Sequence, residues 1–297
     1  MAIFNLDERP PEDGLPDRDA GSWAAVKLGI IRCYLEAFVV ASTTAPHRQY
    51  AEGFSGPGIN LIRESGTRLW GSPMISLSVE PVFDRCLFMD TGQSNVEALA
   101  SRTEQFRDRA HVRQGDCNKD IVTEMQSRFD KTSPTLCLLD PEGAELAWQT
   151  VESIAAYKTS KWKAEQLILL ATDTGFTRLL FLHAPLERWA EERVTALFGN
   201  ERWRQTFERR RAGAITADEA RTEYVQLYTE GLRNLGYANV LERPVQAAPG
   251  GRILYFLVFA TDHDAGARIM DHCFDNVWGE AQQSLPGIKA PRRRRIV

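Results

Sequence analysis

Cysteine is scarce in this chain and odd in number. The five residues, Cys33, Cys86, Cys117, Cys137 and Cys273, contain no CxxC pair. Their spacing fits neither a disulfide framework nor a zinc site. Cys86 and Cys137 lie inside apolar runs and are expected to be small core residues. The five histidines form no HxxxH or comparable ligand spacing, so no metal site is predicted. His263, between Asp262 and Asp264, reads as a loop residue after a strand. Long apolar runs are missing too, since none reaches the roughly 18–20 residues that span a bilayer. A basic excess is also missing. Thirty-six Lys and Arg stand against 40 Asp and Glu, a net charge of −4, which gives no global nucleic-acid signature. The N-terminus is acidic and proline-rich, without a basic region leading into an apolar stretch. It does not read as a secretory signal, and a cytoplasmic protein is expected. No internal repeat is visible.

What is present is ordinary globular composition, with 43% hydrophobic and 26% charged residues in 297, enough to bury a large core. Residues 1–21 read as disordered. Apolar residues at Ala24, Leu28, Ile31, Leu35, Phe38 and Val39 have helical spacing and predict a helix ending near Ser42. A short strand then runs into the glycine turn 52–58, residues 60–70 read as a polar loop, and Pro73 suits the first turn of a short helix. Strands are predicted at 85–90, 111–115, 135–140 and 165–171, with helices at 94–109, 121–129 and 145–157 between them. This alternation is the pattern of parallel βαβ units with helices on both faces. The right-handed crossover rule makes a doubly wound, Rossmann-like α/β sheet the simplest topology. The polar, aromatic segment 185–235 reads as a helical insertion or cap on the core at 22–184. Two strands, 237–242 and 252–261, are expected to form a hairpin that closes the sheet, with a last helix over 264–278 and a basic flexible tail expected at 281–297.

Four polar clusters fall at the ends of successive strands. The first is Glu52-Gly53-Phe54-Ser55-Gly56-Pro57-Gly58. Its glycines let the backbone turn tightly and approach a ligand, and its carboxylate can accept hydrogen bonds from an amine or hydroxyl. The second is Asp90, where nucleotide-binding α/β folds place an acid for ribose hydroxyls. The third is Asp116-Cys117, with Asp116 able to reach an adenine amine or to cap a helix. The fourth is Asp140-Pro141-Glu142-Gly143, whose Asp140 is the candidate to meet the reacting group, or else a turn residue before proline. Open α/β sheets bind ligands at the carboxyl ends of their strands. The four together predict a site for an adenosine-type cofactor.

These residues resemble a known family. Across roughly residues 24–280 the chain is similar to the three-Cys-motif partner (TcmP) proteins, which have a class I S-adenosylmethionine (SAM) methyltransferase-like fold. The similarity rests on KLGIIRCYLEAF, YAEGFSGPG, GSPMISL, LFMD, GDCN, LLDPEG, LFGNERW, YVQLYTEGLRNLGY and YFLVFATDHDAGARIM. The resemblance implies SAM as cofactor and a radical-SAM-like partner that carries the three cysteines. It implies that Glu52, Gly53, Phe54, Gly56, Gly58, Asp90, Asp116 and Cys117 bind the cofactor. Asp140 and Glu142 are then the catalytic candidates. Glu52 replaces the commoner Asp. Glu142 stands where an aromatic residue is usual, and the second proline of the base-methylating Asp-Pro-Pro-aromatic element is absent. Both departures disfavour direct methylation of a base.

The residues leave two rival readings. Trp203 and Phe207 are interleaved with Arg202, Arg204, Arg209, Arg210 and Arg211, and Arg292–Arg295 lie in the tail. Arginine contacts to phosphate with aromatic stacking would bind RNA or DNA, whereas a charged helix face would not. The third reading is a scaffold that keeps the fold without the cofactor.

Overall fold

The computed structural model describes residues 6–283, apart from Thr174 and residues 247–250. Residues 284–297 of the predicted basic tail, with Arg292–Arg295, therefore lie outside the described residues, while 281–283 are helical. Seven strands form the central sheet: β2 (Gln49–Gly53), β5 (Arg85–Asp90), β6 (Ala110–Gln114), β7 (Thr135–Leu139), β8 (Glu165–Ala171), β9 (Asn239–Gln246) and β10 (Ile253–Thr261). Their order is β6-β5-β2-β7-β8-β10-β9. β10 runs antiparallel to both neighbours, and the other pairings are parallel. This is the doubly wound sheet with a C-terminal hairpin that the strand–helix alternation predicted.

Strand side chains alternate between faces, and each face has its own core. Ala51, Leu87, Met89, Cys137, Leu139, Ile168 and Leu170 pack under α4 (Cys117–Arg128) and α5 (Trp148–Ala155). Tyr50, Cys86, Phe88, Leu136, Leu138, Leu167 and Leu169 pack under α1 (Ala24–Ala41), α2 (Ser72–Ser78) and α9 (Asp264–Gln283). β2, β7 and β8 are buried along their whole length, as expected for parallel strands covered on both sides. The helix α3 (Gln93–Thr103) covers the outer strands. Among the described residues no helix is long and apolar enough to cross a membrane.

Four expectations need correction. Residues 6–20 are largely exposed but tied to the fold rather than loose. The strand β1 (Arg18–Ala20) pairs in parallel with β3 (Ile59–Ile62). The buried Arg102 guanidinium holds Asp13, Asp17 and the carbonyls of Pro16 and Pro57. A polar, proline-rich composition lacks the apolar area for a core, but here complementary charge fixes the segment. Second, residues 60–70 are a hairpin of β3 with β4 (Thr67–Trp70), not a loop; its partner β1 is remote in sequence. Third, Cys33 on α1 and Cys273 on α9 form a disulfide with a Cα–Cα distance of 5.7 Å. Their 240-residue separation hid what helix packing brings together. Fourth, α6 (Arg188–Phe198), α7 (Trp203–Arg211) and α8 (Ala217–Asn234) share one continuous core with the sheet and α5. Trp148 meets Tyr228 edge-on, and Phe176 meets both Phe198 and Tyr224. These helices complete a layer instead of forming a separate cap.

Candidate functional site

The strand order reverses at β2, with β5 and β6 on one side and β7 and β8 on the other. A crevice is expected at the carboxyl ends of the strands at such a switch point. The parallel register there aligns Gly53 with Met89 and Leu139. All four sequence clusters therefore lie along one edge.

The loop after β2 turns sharply. Phe54, Gly56 and Gly58 have φ of 64°, 63° and 90°, in the left-handed region that glycine enters at little cost and Phe does not. Two bonds pin the loop to β5. Ser55 N donates to Met89 O at 3.0 Å, and Gly56 N donates to Asp90 Oδ2 at 2.8 Å. Asp90 Oδ1 accepts from Gly92 N at 2.8 Å and Asn95 Nδ2 at 3.1 Å. A carboxylate offers about four acceptor positions, so Oδ2 keeps one for a ligand hydroxyl. Gly53 permits a further close approach, because an added Cβ would collide with Cys117 Sγ.

Glu52 does not reach this edge. It shares the face of Tyr50 and is 1% exposed, with Ser72 Oγ donating to Oε1 at 2.6 Å and Tyr50 Oη to Oε2 at 2.7 Å. Burial pushes its carboxyl up to about 8, against the lowering effect of those two bonds. Its role is to hold β2 to α2 beneath the loop. Asp116 is the N-cap of α4, accepting from Asn118 N at 3.0 Å, and pairs with Lys119 Nζ at 3.0 Å. Burial would raise its carboxyl, but Lys119 and the Asn118 amide hold it below the ordinary value. Cys117 is buried, and desolvation lifts its thiol far above the thiolate range, so it serves as packing under Gly53.

Asp140 is 3% exposed and sits in a charge cluster. Lys27 Nζ donates to Oδ2 at 2.6 Å and Arg18 Nη1 lies 3.4 Å from the same oxygen. Arg18 Nη2 also pairs with the exposed Glu142 at 3.3 Å. Desolvation lowers the pKa of the fully buried Lys27, while Asp140 opposes that fall. A cavity of about 10 Å³ remains beside Asp140, lined by Arg18, Lys27, Ser55, Asn60 and Ser72 among others. It has room for roughly one water. Two buried hydroxyls nearby, Ser55 Oγ and Tyr255 Oη, have no hydrogen-bond partner among the described residues. Sequence reasoning missed Arg18, Lys27 and Tyr255, and included Ser55 in the glycine loop without assigning it a role. Lys27 did leave a signal, because it falls on the apolar stripe of α1, between Ala24 and Leu28 or Ile31.

The arginine-rich candidates fare differently. Trp203 and Phe207 are 0% and 1% exposed and cannot stack on a base. Arg202, Arg204 and Arg209 pair with Glu230, Glu191 and Glu223. Arg210 donates to Ile215 O, and Arg211 lies over the Phe207 ring. The interleaving that suggested a polynucleotide surface is instead a helix with its aromatics inside and its charges largely matched.

No protein-family model matches the chain, and a search of curated proteins finds no relative. Solved structures do resemble it. Protein LPL1258 from Legionella pneumophila, of family-model DUF519, superposes with a TM-score of 0.52 at 9% identity, covering 87% of this chain and 92% of its own. An O-methyltransferase from Bacillus cereus in complex with SAH gives 0.44 at 12% identity, with 83% and 84% covered. The magnesium protoporphyrin IX methyltransferase ChlM from Synechocystis, with bound SAH, gives 0.40 at 10%, with 80% and 84% covered. The first likeness is one of fold alone; the other two are too loose to carry any conclusion about this chain.

Proposed function

We propose that the chain binds SAM and transfers its methyl group to a nucleophile. The observation that carries this reading is the bond from the Gly56 amide to Asp90. It fixes a left-handed glycine loop and a strand-end carboxylate side by side at the switch point. Asp90 would take ribose hydroxyls, the backbone of 54–58 would approach the cofactor, and the Asp116 end of β6 would meet the adenine. Orphaned Ser55 Oγ is a further polar group suited to a bound ligand. SAM, when bound, supplies an electrophilic methyl group.

The chain itself contributes orientation and proton control. Asp140 is fixed by Lys27 and Arg18, so its carboxylate is placed to accept a hydrogen bond from an acceptor N–H or O–H and aim the lone pair. Arg18, 3.4 Å from Asp140, lines the small space beside that carboxylate. The absence of an aromatic after Pro141 favours an acceptor other than a stacked base. A radical-SAM-like partner with a three-cysteine motif belongs to this reading too, supported by the sequence resemblance.

Calorimetry with SAM and S-adenosylhomocysteine tests the proposal. Wild type should bind both, and Asp90→Ala should bind roughly tenfold to a hundredfold more weakly, the worth of a hydrogen bond to a charged group. If neither ligand binds wild type, the cofactor reading fails. If Asp90→Ala binds as tightly as wild type, the ribose contact is wrong.

A further inference from the structure

A second built cavity lies at the opposite end of the sheet. It encloses about 320 Å³, within the range of small-ligand sites. Thr135 and Glu165, the first residues of β7 and β8, line it, whereas Asp140 follows the last residue of β7. The far end of α1 and the amino end of α9 close the other sides.

Glu165 is 9% exposed. Tyr34 Oη donates to Oε2 at 2.6 Å and Thr261 Oγ1 to Oε1 at 2.7 Å. Gly266 in the first turn of α9 makes room for it, since an added Cβ would stand 2.7 Å from Oε1. Two hydroxyls and the positive end of a helix thus support a carboxylate here. A full positive charge is what it lacks. Among the described residues no cation lies within ion-pair distance of Glu165. Lys158 lines the same cavity and, among the described residues, has no ion-pair or hydrogen-bond partner. Burial raises the pKa of Glu165 and lowers that of Lys158. The two attract each other only from beyond ion-pair distance, as His263 attracts Glu165, so neither has an opposite charge in contact although both face one space. The other charges nearby are already matched, with Lys163 Nζ 3.3 Å from Asp262. His263 packs against the Trp162 ring at 5.1 Å. Phe38, Trp162 and Ile269 supply apolar wall.

We propose that this cavity binds a small zwitterion with an apolar side chain, an α-amino acid. The ammonium meets Glu165, the carboxylate meets Lys158, and the side chain lies against Phe38, Trp162 and Ile269. A simple amine would leave Lys158 unmatched, and a simple acid would leave Glu165 unmatched. Burying either charge unpaired is costly, so the ligand that satisfies both is preferred. The site is independent of the SAM reading, being at the other end of the strands.

The test is calorimetry on the full chain with L-phenylalanine, L-leucine, phenethylamine and 3-phenylpropionate. L-Phenylalanine should bind at least tenfold more tightly than either single-charge analogue. Glu165→Gln should lower amino-acid affinity at least tenfold and leave 3-phenylpropionate unchanged. Lys158→Met should do the reverse, weakening amino acids while sparing phenethylamine. Lys158 is only half-buried, so that variant is expected to fold even if Glu165→Gln does not, and thermal melts report which have folded. Absence of amino-acid binding overturns the proposal. So does binding no tighter than the analogues, or Lys158→Met binding amino acids as wild type does.

Discussion

Replacing Glu52 with glutamine should remove a pH dependence of stability that the wild type carries. The carboxyl is 1% exposed and its pKa stands at about 8 in the folded chain, against 4.5 for the ordinary group. Desolvation is the main cause, and the bonds from Ser72 and Tyr50 only partly offset it. The folded state therefore holds a proton that the unfolded chain releases. The contribution of this group to stability is fully present below pH 4.5 and is lost as pH rises towards 8, the direction required when the native state binds more protons. At about 1.4 kcal/mol per pH unit the full change is about 5 kcal/mol. Between pH 5 and 7 the loss from this group should be on the order of 3 kcal/mol. Glu52→Gln is nearly isosteric and can still accept from Ser72, so it should fold and show none of this slope. Urea unfolding followed by tryptophan fluorescence, at steps from pH 5 to 8, reads the difference directly. Parallel pH profiles for wild type and Glu52→Gln would refute the reasoning, because they would mean Glu52 ionises at its ordinary value.

Three further outcomes are expected. Lys27→Met removes the closest partner of buried Asp140, at 2.6 Å, and should cost about 3 kcal/mol in urea unfolding. Adding Asp140→Asn should recover most of that loss, and a single-variant cost below about 1 kcal/mol would show that Arg18 suffices alone. Trp203→Ala should cost about 3–5 kcal/mol, since the ring is fully buried and its Nε1 donates to Thr195 Oγ1 at 3.0 Å; a small effect would return Trp203 to the surface. Arg202→Gln with Arg209→Gln should leave polynucleotide retention at low salt unchanged from wild type, and a marked loss in a filter assay would revive the nucleic-acid reading.

The layers are legible in the order of residues alone. Alternating strands and helices made a parallel sheet covered on both faces the simplest arrangement. The strands at Arg85–Asp90 and Glu165–Ala171 fall where the apolar runs do, because burial on both faces leaves a continuous apolar signal. The order of Glu52, Asp90, Asp116 and Asp140 along the chain, each at a strand end, also showed which edge would gather polar groups. What each group does there depends on how remote segments pack. Glu52 and Asp90 are both strand-end carboxylates in sequence, yet one is sealed under the loop by Tyr50 and Ser72 while the other pins the loop from outside. Asp140 meets Lys27 and Arg18 across more than a hundred residues of chain, and Cys33 meets Cys273 across 240. Local pattern records which side chains prefer to be buried. It does not record which remote partner satisfies a buried charge, because that depends on how helices and strands pack. The same limit made Trp203 look like a stacking surface: its arginine neighbours are visible in sequence, and the core that receives the ring is not.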